Sequence, residues 1–158
     1  VYFVHTLFAK AWFCKGGHMN KKENLVRIES FIKSCGVYMV CTIDDGKPKS
    51  RPFTLTMMEG ERLYFGTGTH KKVYNQIKAN PYIEIFATQG LEFLRYDGKA
   101  VLVEDDVLVQ KAFALAPQVK KMYTENGLQM VLFYLENAKA ELHNVAKQKY
   151  NMPEILDC

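Results

Sequence analysis

The sharpest chemical signal in the chain is a run of small and basic residues, Gly66-Thr67-Gly68-Thr69-His70-Lys71-Lys72. It follows the strand-like Leu63-Tyr64-Phe65 and opens a helix-like stretch from about His70 to Ala79, with Val73 and Ile77 at i, i+4. A strand that enters a helix through a Gly/Thr loop presents free backbone N–H groups at the helix start, and these attract anions. The threonine hydroxyls add donors, and the glycines let a ligand approach the backbone. Lys71 and Lys72 fall in the first helical turn, where the helix dipole disfavours cations. A bound anion accounts for them there; two solvated lysines are the alternative, and both readings stay open. Arg51 on a preceding strand is a further cation for the same end, or an exposed strand arginine. The run has neither the Gly-x4-Gly-Lys-Ser/Thr spacing of a Walker loop nor a Gly-x-Gly-x-x-Gly fingerprint.

Other chemistry has little to stand on. His70 and His143 are the only histidines after Met19. No Gly-x-Ser-x-Gly elbow or Cys/His signature accompanies them, and they offer no zinc ligand set. His143 reads as an exposed or hydrogen-bonded residue of the last strand. The acidic pairs Asp44-Asp45 and Asp105-Asp106 sit in a turn and at a helix start, where such residues are ordinary. None of Cys14, Cys35, Cys41 and Cys158 has Cys-x-x-Cys spacing, so the expectation is neither a disulfide nor a metal framework, and a cytoplasmic protein. Cys35 and Cys41 read as small core residues.

The 158 residues suit one domain, and 48% hydrophobic with 24% charged residues is an ordinary globular composition. No apolar run reaches membrane-spanning length. The net charge of +4, from 21 basic and 17 acidic residues, is too small and mixed to imply nucleic acid. Residues 1–18 read as an upstream or added segment, since Gly17-His18-Met19 resembles a cloning junction; an apolar arm packing on a partner is the alternative. Without Lys10 and Lys15 the charge falls from +4 to +2. The domain proper is expected at 19–146, with a polar tail at 147–158.

The elements that must position the loop follow from pattern. Asn20 and Glu23 form a helix-opening box, and Leu25, Ile28 and Ile32 line one face of a helix ending near Gly36. Val37–Ile43 is a strand closed by the turn Asp44-Asp45-Gly46-Lys47. Residues 49–58 form the next strand, with Arg51, Phe53, Leu55 and Met57 on one face. After Asn80-Pro81 come a strand at 82–88 and a long strand or broken hairpin at 91–103, with a turn or bulge at Asp97-Gly98. A helix is expected at 104–116 and a helical piece at 118–124. A final hairpin, 130–135 with 138–145, is expected around Glu136-Asn137. Consecutive hairpins with interposed helices predict a mainly β, α+β chain: an antiparallel barrel or curled sheet. Phe53, Tyr64, Phe65, Phe86, Phe93 and Tyr96 are core or interface candidates.

From about 25 to 145 the chain resembles the pyridoxamine 5'-phosphate oxidase-like family of FMN-binding split β-barrels. The resemblance rests on Lys49-Ser50-Arg51-Pro52-Phe53-Thr54-Leu55, on Leu63 through Ile77, on Asn80-Pro81 and on Gly98-Lys99-Ala100, in that order and spacing. It implies an antiparallel split barrel with peripheral helices, and a homodimer with FMN at the interface. It also implies flavin contacts from Arg51, Pro52, Phe53 and Thr54, with Arg51 at the phosphate. Thr67 and Thr69 fall beside the flavin, and Lys71 or Lys72 matches the lysine at the helix start.

Two departures qualify the activity. Where the oxidases carry an Arg-Leu-His-x-Arg pattern on the last strand, this chain has Glu141-Leu142-His143-Asn144-Val145. A glutamate repels a phosphorylated substrate. The resemblance therefore points to the small members of the family: an FMN-dependent oxidoreductase on an unidentified small substrate, or a non-enzymatic flavin carrier. A haem or deazaflavin in place of FMN is a further alternative.

Overall fold

A computed structural model of the chain describes residues 20–147 and 153–158; the expected upstream segment 1–18 lies outside them. Helix α1 (Lys21–Cys35) opens with the anticipated box: Glu23 N–H donates to Asn20 Oδ1 at 3.0 Å, and Asn20 N–H to Glu23 Oε2 at 2.9 Å. It ends at Gly36, whose φ of 73° is one that a side chain disfavours. Strands β1 (Tyr38–Asp44) and β2 (Lys47–Phe53) pair across the Asp45-Gly46 turn, both residues at positive φ as a tight hairpin requires.

After β3 (Thr56–Glu59) and β4 (Arg62–Gly68) come helix α2 (Lys72–Ala79) and strands β5 (Tyr82–Gln89) and β6 (Glu92–Val103). Helices α3 (Asp106–Leu115) and α4 (Pro117–Glu125) lead into β7 (Met130–Asn144), and β8 (Glu154–Asp157) closes the chain. The antiparallel sheet runs β2-β1-β5-β6-β7-β4-β3, with β8 on the second half of β7. Its two outermost strands, β2 and β3, are joined by only Thr54-Leu55, so the sheet must curl back on itself. The Tyr38 ring of β1 accordingly meets Phe65 of β4 edge-on at 5.7 Å, although β5, β6 and β7 lie between them in the sheet. Mostly antiparallel sheet, curled into a barrel with helices around it, is the anticipated fold class.

Leu25, Ile28 and Ile32 of α1 enter the barrel core with Val40, Phe53, Phe65, Ile85, Tyr96 and Phe133. A second cluster forms where α3 and α4 bring Val109, Ala112, Phe113 and Tyr123 against Met57, Tyr64, Leu132 and Tyr134.

Four local expectations change. The single strand at 49–58 is two, and the break at Thr54-Leu55 sends Phe53 into the first core and Met57 into the second. The final hairpin is one 15-residue strand, β7. Asn137 has the positive φ of a turn residue, 50°, but uses it for a bulge: Asp97 pairs Lys139 while Lys99 pairs Glu136. Gly98 faces that bulge, where a Cβ would sit 3.0 Å from the Glu136 carbonyl oxygen. The stretch expected only as a polar tail carries a strand, β8, because β7 continues far enough to offer it a pairing edge. Cys41 is half-buried beside Ser50, Sγ to Oγ 3.5 Å, outside both core clusters, whereas Cys35 packs on the first.

Arg27 of α1 fastens β8 by donating from both terminal guanidinium nitrogens to Glu154, Nη2 to Oε2 at 2.7 Å. That hydrogen bond, with the positive charge behind it, holds the Glu154 carboxyl below its ordinary range. A depressed carboxylate pKa contributes stability above the unfolded value, about 4.3, and loses it as pH falls through the folded one. The Glu154 side chain is 50% exposed, so solvent screening keeps the pair within about 0.2–1 kcal/mol. Urea unfolding of Arg27→Ala should therefore show a deficit of that size at pH 7 that shrinks towards pH 3. A deficit unchanged between the two would mean that the arginine acts through packing alone.

Candidate functional site

Arg51 projects from β2 on the side of the neighbouring buried residues Val40 and Thr42 of β1. Its Nη1 donates to Thr42 Oγ1 at 2.7 Å and to the Val40 carbonyl at 3.2 Å, and its Nη2 donates to Gln76 Oε1 at 2.7 Å. Thr42 Oγ1 donates to the same Gln76 oxygen at 2.7 Å. Three residues thus fix the guanidinium against α2, all with neutral acceptors. Among the described residues no carboxylate forms an ion pair with Arg51. Burial lowers its pKa from the ordinary value, with weaker opposing effects from Cys41 and Asp44. A guanidinium nevertheless stays charged at neutral pH. A half-buried cation with neutral partners and a fixed pose has the character of an anion receptor.

Gln76 lies on the buried face of α2 with Val73 and Ile77, and one turn after Lys72. Arg51 therefore stands beside the helix that the Gly/Thr loop opens. Lys71 is the N-cap of that helix rather than part of its first turn, and it makes no side-chain capping bond; Lys72 is the first helical residue. The first turn contains no acid, so its backbone donors and two exposed lysines make one positive end.

Thr67 is 0% exposed, and its hydroxyl has no hydrogen-bond partner. Thr69 is half-buried and donates weakly from Oγ1 to the Gln129 carbonyl at 3.4 Å. Pro52 and Thr54 are exposed. Phe53 turns into the barrel, its ring 6.1 Å from Tyr38 and 6.4 Å from Phe133. The structure therefore joins Arg51 to α2, the helix that the loop opens, and places the Phe53 ring in the core.

Sequence reasoning missed Thr42 and Gln76. The available signal was a polar residue at a core position: Thr42 continues the buried alternation Tyr38, Val40, and Gln76 interrupts the apolar face between Val73 and Ile77.

The last-strand departure is also visible. Glu141 accepts from Lys139 Nζ at 2.8 Å and lies 3.3 Å from His143 Nε2. These bonds, that of Lys139 first, hold its pKa below the ordinary value, so it is a carboxylate at neutral pH. The His143 imidazole stacks on Phe93, ring centres 4.3 Å apart and 10° from parallel.

A cavity of about 700 Å³ opens elsewhere, between Lys21, Leu25, Glu59, Arg62, Tyr134 and Cys158. None of the residues expected to hold flavin lines it, and size alone does not outweigh the Arg51 geometry. No helix among the described residues is long and apolar enough to cross a membrane.

Comparison with known proteins bears on the fold and the family. No curated protein sequence matches the chain. A NimC/NimA family protein from Clostridium acetobutylicum superposes with a TM-score of 0.77 at 21% identity, over 87% of this chain and 96% of that one. General stress protein 26 from Bacillus anthracis gives 0.62 at 20% identity, over 89% and 100%. An FAD-binding protein from Mesorhizobium loti gives 0.55 at 14% identity, over 75% and 94%. At these identities the superpositions establish a shared split-barrel fold. The family model for pyridoxamine 5'-phosphate oxidase matches residues 26–148, a span that includes the Arg51 cluster, the Gly/Thr loop and the altered last strand. On that match the chain belongs to the pyridoxamine 5'-phosphate oxidase family.

Proposed function

We propose that the protein binds FMN and serves as a flavin-dependent oxidoreductase for a small substrate, working as a homodimer with the flavin between subunits. The observation that carries the reading is Arg51, a fixed, half-buried guanidinium held by neutral acceptors beside the basic start of α2. Membership of a flavin-using family and an FAD-binding neighbour of like fold support it.

The residues fit the phosphate end of FMN. Arg51 offers charge in a set pose, Lys71 and Lys72 offer mobile charge, and the first turn of α2 offers backbone N–H donors. The enclosed, unpartnered Thr67 hydroxyl adds a donor for a group that reaches the loop. Bound flavin supplies the electron-transfer chemistry, so the chain need only bind, orient and exclude water.

Glu141 narrows the substrate. A carboxylate ionised at neutral pH, where the oxidases place an arginine, repels a phosphoryl group. Pyridoxamine 5'-phosphate is expected to be a poor substrate, and turnover of it at rates typical of dedicated enzymes, about 1–1000 per second, would overturn that expectation.

The absorption spectrum of the purified protein tests the cofactor. FMN predicts a band near ~450 nm, and a Soret band would replace the flavin reading by haem. Bound FMN that no reductant or oxidant turns over would leave a carrier in place of an enzyme. Mass in solution tests the dimer, a monomer that holds FMN tightly being the contrary result.

A further inference from the structure

The β4–α2 loop has little of its own to hold its shape. Lys71 caps α2 without a side-chain bond, and no acid complements the first turn. The loop backbone is tied at Thr69, whose N–H donates to the Gln129 carbonyl at 3.0 Å, and at Lys71, whose N–H donates to the Gly68 carbonyl at 3.0 Å.

The Thr69 hydroxyl adds its weak bond to the Gln129 carbonyl, and a further support is an aromatic ring from another element. Tyr123 of α4 is 1% exposed. The His70 imidazole meets its ring edge-on at 5.9 Å, and Lys71 Nζ stands 5.9 Å from the ring centre, at the outer limit of a cation–π contact. Phe113 of α3 packs on the same ring at 5.9 Å. Gly68 completes the arrangement. A Cβ there would lie 2.3 Å from His70 Cε1 and 2.8 Å from the Tyr123 hydroxyl, so imidazole and phenol fill the space a side chain would take.

We infer that Tyr123 is a positioning residue: its ring, packed on α3 and under the β4–α2 loop, sets the pose of Lys71 and of the first turn of α2, and so the loop's affinity for a phosphate. This rests on the phosphate reading proposed above. Tyr123 touches no ligand in this scheme. It removes the cost of ordering the loop at the moment of binding, which is how preorganisation raises affinity.

Three variants test it: Tyr123→Leu removes the ring, Tyr123→Phe keeps it, and Gly68→Ala crowds it. In ligand-free protein, hydrogen exchange of amides 67–74 should quicken in Tyr123→Leu and Gly68→Ala while amides of β5 and β6 keep their protection. Titration should show FMN weakened by about 5- to 20-fold in these two, with riboflavin within about twofold of the unaltered protein. Tyr123→Phe should restore both readouts, since the ring makes the contacts. Unchanged loop exchange in Tyr123→Leu, or equal losses for FMN and riboflavin, would overturn the inference. Absence of FMN binding by the unaltered protein would instead overturn the flavin reading. The exchange comparison needs no flavin and still decides whether Tyr123 holds the loop.

Discussion

Replacing Arg51 by alanine is expected to weaken FMN by about ten- to a hundredfold, the 1.5–3 kcal/mol of a charge-assisted contact. Riboflavin, which lacks the phosphate, should lose little in the same variant. The geometry sharpens this expectation. The guanidinium is already placed by Thr42, Gln76 and the Val40 carbonyl, so it pays little ordering cost on binding. Alanine also leaves Gln76 Oε1 with the Thr42 hydroxyl as donor, so that acceptor is not stranded and the fold should tolerate the change. Lys72→Ala should follow the same pattern if the first helical residue meets the phosphate, and Lys71→Ala if the N-cap does. Parallel titrations of FMN and riboflavin in the three variants separate a phosphate contact from damage to the barrel. Equal losses for both ligands throughout would remove the phosphate assignment even from a proven flavoprotein.

That cluster shows what the sequence made legible and what it did not. Arg51 and the Gly/Thr loop stood out because charge and glycine are anomalous where a strand meets a helix. Their link was hidden, because it runs through Gln76 and Thr42, whose roles depend on β1 packing against α2. Local signals served well where local physics decides the outcome. The Asn20–Glu23 box and the Asp45-Gly46 turn are satisfied within a few residues of themselves. The break at Thr54-Leu55 was illegible, because it arises from curling a sheet whose two edge strands are consecutive in the chain. Asn137 was misleading for a related reason. Positive φ serves a hairpin turn and a bulge alike, and the choice was made by Gly98 on the facing strand. Strand β8 has four residues and exists through its pairing with β7 and its ties to Arg27 and Asn24 of α1, none of which a short polar tail announces.

Thr67→Val is expected to act with opposite signs on the free and the liganded protein. The Thr67 hydroxyl is enclosed and without a partner, on the same side of β4 as the core residues Leu63 and Phe65. An unsatisfied buried hydroxyl costs about 1–3 kcal/mol, and valine fills the same shape without that penalty. Denaturant unfolding of the flavin-free variant should therefore show a gain of that order. Titration should show the contrary effect on FMN, because a donor kept unsatisfied in the free protein forms its bond only when a ligand arrives. Sites that hold polar groups in reserve trade stability for binding in this way. Loss of stability in the flavin-free variant would mean that the hydroxyl has an internal partner, a buried water being the simplest. Greater stability with unchanged FMN affinity would retain the cost of the orphaned hydroxyl and take Thr67 out of the flavin site.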